Sequence, residues 1–255
     1  MLVLISPAKK QDFTNKQERL PYTQPLFKKD ANELVAVLAA MDEEKLGKLM
    51  KISPKLAKLN VDRFNSFKKT HNQSNSIQAA LAFQGDTYVG LEAKTMSDAE
   101  WEFATDHLAI LSGLYGFLRP LDLIQPHRLE MGTGLDNSRG KDIYSFWGDG
   151  PTKQINKNTK GHTVPWVINL ASQEYFKVVR QELLKAPVLT PVFKEKSQGK
   201  LKVIGIKAKR ARGMMARYII TNRIQEPESL KYFTMGGYQF NNDLSNEKEL
   251  VFVAG

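Results

Sequence analysis

The sequence predicts a mixed α/β domain, with helices and strands interleaved around a partly antiparallel sheet. Three observations predict it. Short apolar, β-branched runs occur at Met1–Ser6, Val164–Leu170 and Leu201–Ile206, with the length and composition of buried strands. Longer segments of helical period separate them, yet strand and helix never settle into a regular βαβ rhythm. Hydrophobic residues make up 42 % of the 255 and charged residues 25 %, as in chains that bury a core. With no repeat and no low-complexity linker, residues 1–255 read as one domain.

Taken in order, Met1–Ser6 is a strand that Pro7 ends, since proline supplies no backbone donor. Residues 31–50 carry a helical pattern. A further helix opens with Pro54 at its first position and Ser53 placed to cap it. The run 77–92 reads as the end of a helix, then a strand or turn around Gly85-Asp86. Residues 98–117 read as one helix that stops before Arg119-Pro120, because the residue preceding proline avoids the helical basin. The polar stretch Thr152–Thr163 is expected to be a surface loop. Leu201–Ile206 feeds a helix over 207–222, and Leu250–Val253 supplies a last strand.

The net charge of +10 comes from 37 Lys and Arg against 27 Asp and Glu. It is concentrated. Residues 48–69 hold seven basic side chains and one acidic, Asp62, while residues 194–223 hold ten basic and only Glu195. Such segments point to a polyanion, because each neutralised phosphate releases condensed counterions. On a helical wheel the second segment is amphipathic, with Ala211, Met214, Met215, Tyr218 and Ile219 on one half. Lys209, Arg210, Arg212, Gly213 and Arg217 fill the other half, and Lys207 opens the helix. Gly213 would let a phosphate approach the backbone, and the face offers no carboxylate to pair its cations. These five Lys and Arg side chains (207, 209, 210, 212 and 217) are therefore expected to contact DNA.

The first segment joins two helices through a tight turn at Lys51-Ile52. Leu56, Leu59, Val61, Phe64 and Phe67 are expected to supply its buried side. Lys51, Ser53, Lys55 and Lys58 flank the turn and the new helix start, where free N–H groups and the helix dipole favour a phosphate. Residues 44–67 thus resemble a helix-hairpin-helix, a binder of the DNA backbone, without the glycines usual in its hairpin.

The densest stretch is Leu111–Leu135, LSGLYGFLRPLDLIQPHRLEMGTGL. Its glycines beside aromatics, two X-Pro steps, Arg119, Asp122, Arg128 and Glu130 fit no regular element, and a long rigid loop of this kind carries function. Five other motifs accompany it: ISPAKK (Ser6, Pro7, Lys9), FQGDTYVGL (Asp86, Tyr88), YSFWGD (Trp147, Asp149), VINLASQEYFK (Asn169, Ser172, Tyr175) and KAKRARGMMARYII. Together, and in order from Ile5 to Val251-Phe252, they resemble the YaaA family of bacterial peroxide-stress proteins. The resemblance implies a single domain of family-specific fold with a helix-hairpin-helix, a basic cleft and DNA binding. It also implies a role in limiting free iron and Fenton damage during peroxide stress.

Much is excluded. The chain has no cysteine, so disulfides, thiolate nucleophiles, thiolate zinc sites and iron–sulfur clusters are out. Dinucleotide-binding and Walker loops are missing, and Ser6, Ser112 and Ser172 lack the G-x-S-x-G setting of a hydrolase nucleophile. His71, His107, His127 and His162 show no metal-ligand spacing, so no metal and no cofactor is expected. No signal peptide or membrane-spanning run is read, and a cytoplasmic monomer with DNA as its partner, duplex or branched, is expected. The rival reading is an enzyme acting on a nucleic-acid base or nucleotide. Its candidates are Lys9, Asp86, Arg128, Glu130, Ser172 and Tyr175, with Asn169 beside them. Lys9, Arg119 and Arg128 would hold phosphate, and Glu130 or Asp86 would serve as general acid or base.

Overall fold

The computed structural model describes residues 1–14, 20–197 and 199–255. Among the described residues, eight strands form one sheet. They are β1 (Leu2–Ile5), β2 (Leu108–Ser112), β3 (Gly116–Leu118), β4 (Val167–Leu170), β5 (Val188–Ser197), β6 (Lys200–Lys202), β7 (Gln239–Asn241) and β8 (Glu249–Ala254). Their order is β7-β8-β5-β4-β1-β2-β3, with β6 paired to the outer end of β5. The run β8-β5-β4-β1-β2 is parallel, and β3, β6 and β7 each add an antiparallel pair. The class is the mixed α/β one expected.

The helices that flank the sheet are α1 (Lys28–Ala39), α2 (Glu43–Met50), α3 (Pro54–Ser66), α4 (Asp86–Leu91), α5 (Asp98–His107), α6 (Gly150–Thr159) and α7 (Gly205–Thr221). Every residue of β1, β2 and β4 is buried, which is why these strands read as continuous apolar runs rather than alternating ones. Short ribbons pair Lys10–Gln11 with Phe83–Gln84 and Ile77–Gln78 with Leu123–Ile124.

Four expectations are corrected. Residues 31–50 form two helices, because Asp42 accepts a hydrogen bond from Lys45 N at 2.8 Å and starts α2 anew. The helix expected over 98–117 ends at His107, and Leu108–Ser112 is the central strand β2. Periodicity alone does not separate a buried strand from a buried helix turn. Thr152–Thr163 is mostly helix α6, polar because its inward stripe is narrow: Pro151, Thr152, Ile155 and Thr159. Finally, the strand expected over 201–206 covers only Lys200–Lys202, and the helix begins earlier, at Gly205. Strand β5 was not expected: its burial alternates without a break, but a proline, Pro191, and a carboxylate, Glu195, occupy inward positions and hide the strand pattern.

Helices α4 and α7 cross in close contact, and glycines permit it. A Cβ on Gly213 would lie 1.8 Å from Thr87 O, and one on Gly90 would lie 2.2 Å from Arg210 O. Gly213 is therefore a buried packing residue, which corrects its assignment to the phosphate-facing side.

Candidate functional site

In an open parallel sheet, ligands bind where neighbouring strands send their connections to opposite sides. Here that point lies between β1 and β4, since the chain continues from β1 to β2 on one flank and adds β4 on the other. A cleft of about 670 Å³ opens there. The segment after β1 contributes Ser6 to Lys10, Ser172 and the helical turn Gln173–Phe176 after β4 contribute residues 172–175, and the start of α4 contributes Gly85, Asp86 and Tyr88. Glu130 closes one wall, and Lys209 and Arg212 from α7 form another.

Hydrogen bonds fix these loops to one another. Ser172 N donates to Ser6 Oγ at 2.8 Å, and the Tyr88 hydroxyl donates to Ser6 O at 3.1 Å. Burial holds the Tyr88 phenol well above its ordinary pKa. Burial, with the charges of Glu174 and Glu130 added, raises Tyr175 likewise. Both are neutral proton donors at physiological pH rather than phenolate nucleophiles.

The charges of the cleft are unevenly matched. Glu130 Oε1 lies 3.0 Å from Lys9 Nζ and 3.0 Å from Arg128 Nη2, so one carboxylate serves two cations. Arg128 Nε is buried without a hydrogen-bond partner among the described residues. Arg63 of α3 is near enough that, after burial, the charge of Arg128 lowers its pKa. Burial alone lowers Arg212, and no carboxylate among the described residues pairs with it. Two unbalanced guanidinium groups in a partly desolvated setting favour an anion.

Lys9, Asp86, Glu130, Ser172 and Tyr175 thus share one cleft, with Arg128 behind Glu130. Arg119 does not join them. Its Nη2 bonds Asp122 Oδ1 at 2.8 Å and Gln24 O at 2.9 Å, and it lies outside the cleft that holds Lys9 and Glu130. Asn169 is a bracing group, its amide oxygen accepting from Ala171 N at 3.1 Å. The stretch Leu111–Leu135 is mostly core rather than open loop, for Leu114, Tyr115, Phe117 and Leu118 are fully buried.

The basic face of α7 is only partly free. Lys207 pairs with Glu195 at 2.7 Å, and Arg217 with Glu100 at 3.1 Å. The expectation of a face without carboxylates fails there, because both acids arrive from other elements, β5 and α5. Arg210 and Lys209 are exposed.

On α3, Lys55 and Lys58 are exposed, as are Lys51 and Ser53 in the turn before it. Lys51 takes φ 52°, the left-handed conformation that a glycine would adopt more easily. Ser53 occupies the cap position but its side chain makes no capping bond. Phe64 is buried and Val61 and Phe67 pack half-buried against the core as expected, whereas Leu56 and Leu59 face solvent and Ala57 and Asn60 take their place, which corrects those two positions.

Sequence reasoning missed Arg63 and Lys10 as neighbours of the site. A signal for Arg63 was missing, since its relation to Arg128 spans 65 positions of chain and arises only on folding. Among the described residues no cluster of His, Asp or Glu could hold a metal ion. No helix among them is long and apolar enough to cross a membrane.

Residues 1–244 match the family described as peroxide stress protein YaaA. The chain is 48 % identical over 254 residues to a UPF0246 protein of Burkholderia multivorans, covering 99 % of this chain and 98 % of that one. It is 49 % identical over 253 residues to a UPF0246 protein of Saccharophagus degradans, covering 99 % of each. The chain belongs to the peroxide stress protein YaaA family.

Proposed function

We propose that this member of the family binds DNA through backbone phosphates during peroxide stress, and that it serves there to limit free iron and Fenton damage to DNA. One observation carries the DNA reading: Arg212 is half-buried in a cleft with no carboxylate to balance it, beside an exposed Lys209. A desolvated cation without a partner is unfavourable, and a phosphate oxygen supplies the missing charge and hydrogen-bond acceptor. Lys9 in the same cleft and Arg128 behind Glu130, sharing that one carboxylate, add surplus positive charge. The exposed Lys55 and Lys58 on α3 would extend the contact along the duplex.

The test is retention of a fully paired duplex across a salt series. Affinity should fall with a log–log slope of roughly −0.9 per phosphate contact. Charge reversal of Lys55 and Lys58 should flatten the slope by roughly two contacts, and Arg212→Glu should weaken binding further. Flat salt dependence, or no retention at low salt, overturns the reading.

A second reading has its own observation. Asp86, Glu130 and Glu174 line the same cleft, and a groove that only grips phosphate would be weakened by three carboxylates. They suit an enzyme acting on a nucleotide or nucleic-acid base, with Lys209 and Arg212 on phosphate and Asp86 as general acid or base. Release of base or cleaved strand by the wild type, lost in Asp86→Asn, would establish it.

A further inference from the structure

The segment that leads into the cleft wall is open to solvent along its length, held to the protein through the pairing of Lys200–Lys202 with β5 and of Lys207 with Glu195. Every residue from Gly199 to Lys207 is exposed, and a Cβ built on Gly205 would meet nothing within 4 Å. Four of these residues are aliphatic: Leu201 is 42 % exposed, Val203 54 %, Ile204 36 % and Ile206 68 %. Lysines surround them, at 200 and 202 before and at 207 and 209 after. Contiguous exposed aliphatics mark a surface that something covers. A solvent-facing strand end would carry polar residues here, and no bend or cap requires valine or isoleucine.

Charge selects the occupant. Lys200, Lys202 and Lys209 have no ion pair among the described residues, and the one acid nearby, Glu195, is taken up by Lys207 and Tyr238. The same helix then carries Lys209 and Arg212 into the cleft. Resting on the DNA reading above, we propose that residues 199–207 form an apolar wedge that enters a base step of the bound duplex. Lysines on either side hold the flanking phosphates. Apolar side chains inserted between base pairs unstack the step and kink the duplex, and the larger protein surface that a bent duplex covers offsets the lost stacking. Flexible or mismatched steps, which unstack at least energy, are the favoured sites. A membrane surface would also take basic and apolar side chains, but it would leave the cleft on the same helix without a role.

The experiment compares wild type with V203S/I206S, both positions being exposed. The probes are a fully paired duplex and a duplex carrying 2-aminopurine beside a mismatch. Wild type should raise 2-aminopurine fluorescence several-fold on binding and prefer the mismatched duplex. The variant should lose both effects while retaining the paired duplex with an unchanged salt slope. A wild type that binds without a fluorescence change overturns the wedge, as does a variant that matches it. Wild-type binding to phosphatidylserine vesicles that the variant loses would assign the segment to membranes instead. A sedimenting dimer that the variant splits would assign it to a second copy. If neither protein retains the paired duplex at low salt, the DNA reading itself fails and the wedge falls with it. Should V203S/I206S melt early, Ile206→Ser alone carries the same comparison.

Discussion

Two arginine–carboxylate pairs lie within twelve residues of each other, Arg119 with Asp122 and Arg128 with Glu130, and they do opposite work. Asp122 is fully buried and saturated: Arg119 donates to it from Nε, Nη2 and its backbone, and Thr23 Oγ1 donates at 2.6 Å. Burial pushes its carboxyl up, while Arg119 and Thr23 hold it down. Glu130 is shared by Lys9 and Arg128, and Arg128 Nε lacks a partner among the described residues. The first pair is closed and braces the fold. The second is open and leaves positive charge facing a cleft. A pair's role is thus read from whether its hydrogen-bonding capacity is used up, not from its residue types.

The sharpest way to break this comparison is to remove the guanidinium of the closed pair. Arg119→Met should strand a buried carboxylate and cost about 3–5 kcal/mol in urea unfolding. Acid should act next, and on the other pair. His127, adjacent to Arg128, is fully buried, and burial first of all lowers its pKa to about 4. A folded pKa below the ordinary 6.5 means that the unfolded chain binds the proton more readily. The neutral ring therefore contributes its full stability above pH 6.5, and that contribution is lost as pH falls toward 4. The loss is on the order of 3 kcal/mol. Asp122 works in reverse, since its raised carboxyl gains stability as pH falls. Hydrogen exchange between pH 7 and 4 should loosen residues 125–130 before 119–124, and the opposite order would undo the distinction.

Smaller effects sharpen it. Arg217 and Glu100 are 14 % and 15 % exposed, a closed pair that links α7 to α5. Arg217→Met should cost about 2 kcal/mol, less than Arg119→Met because some water reaches both groups. Glu130→Gln should cost less, about 1 kcal/mol, although Arg128 and Glu130 are as buried as that pair, because the glutamine oxygen still accepts from Arg128 and the exposed Lys9 keeps its hydration. It should also tighten DNA binding at low salt by removing a negative charge. A loss as large as that of Arg119→Met would show that the second pair is closed after all. Arg212→Ala should change the unfolding free energy least, by about 0.5 kcal/mol or less in either direction, since no partner is left behind. Retention on DNA is where its effect should appear.

Legible in the sequence alone were the fold class, strands near Leu2–Ile5, Val167–Leu170 and Glu249–Ala254, and a helix read over 207–222 that in the structure spans Gly205–Thr221. These elements follow from local rules: runs of buried apolar residues, a proline or glycine at the boundary, and a stripe of period 3.6. The sequence also offered Lys9, Asp86, Arg119, Arg128, Glu130, Ser172 and Tyr175 as candidates, read at loops and element ends, and folding brings all but Arg119 to one cleft or directly behind it. Only the tertiary structure decided which charges remain available. No acid near Arg217 in sequence predicts its pairing with Glu100 of α5, and Glu195, the single acid of the segment 194–223, meets Lys207 only because β5 packs beside α7. Gly213 looked like part of a phosphate-binding face and is instead the point where α7 touches α4. The same physics lies behind each case. Secondary structure is set by neighbours along the chain, whereas desolvation and charge balance depend on groups that meet only when distant segments pack.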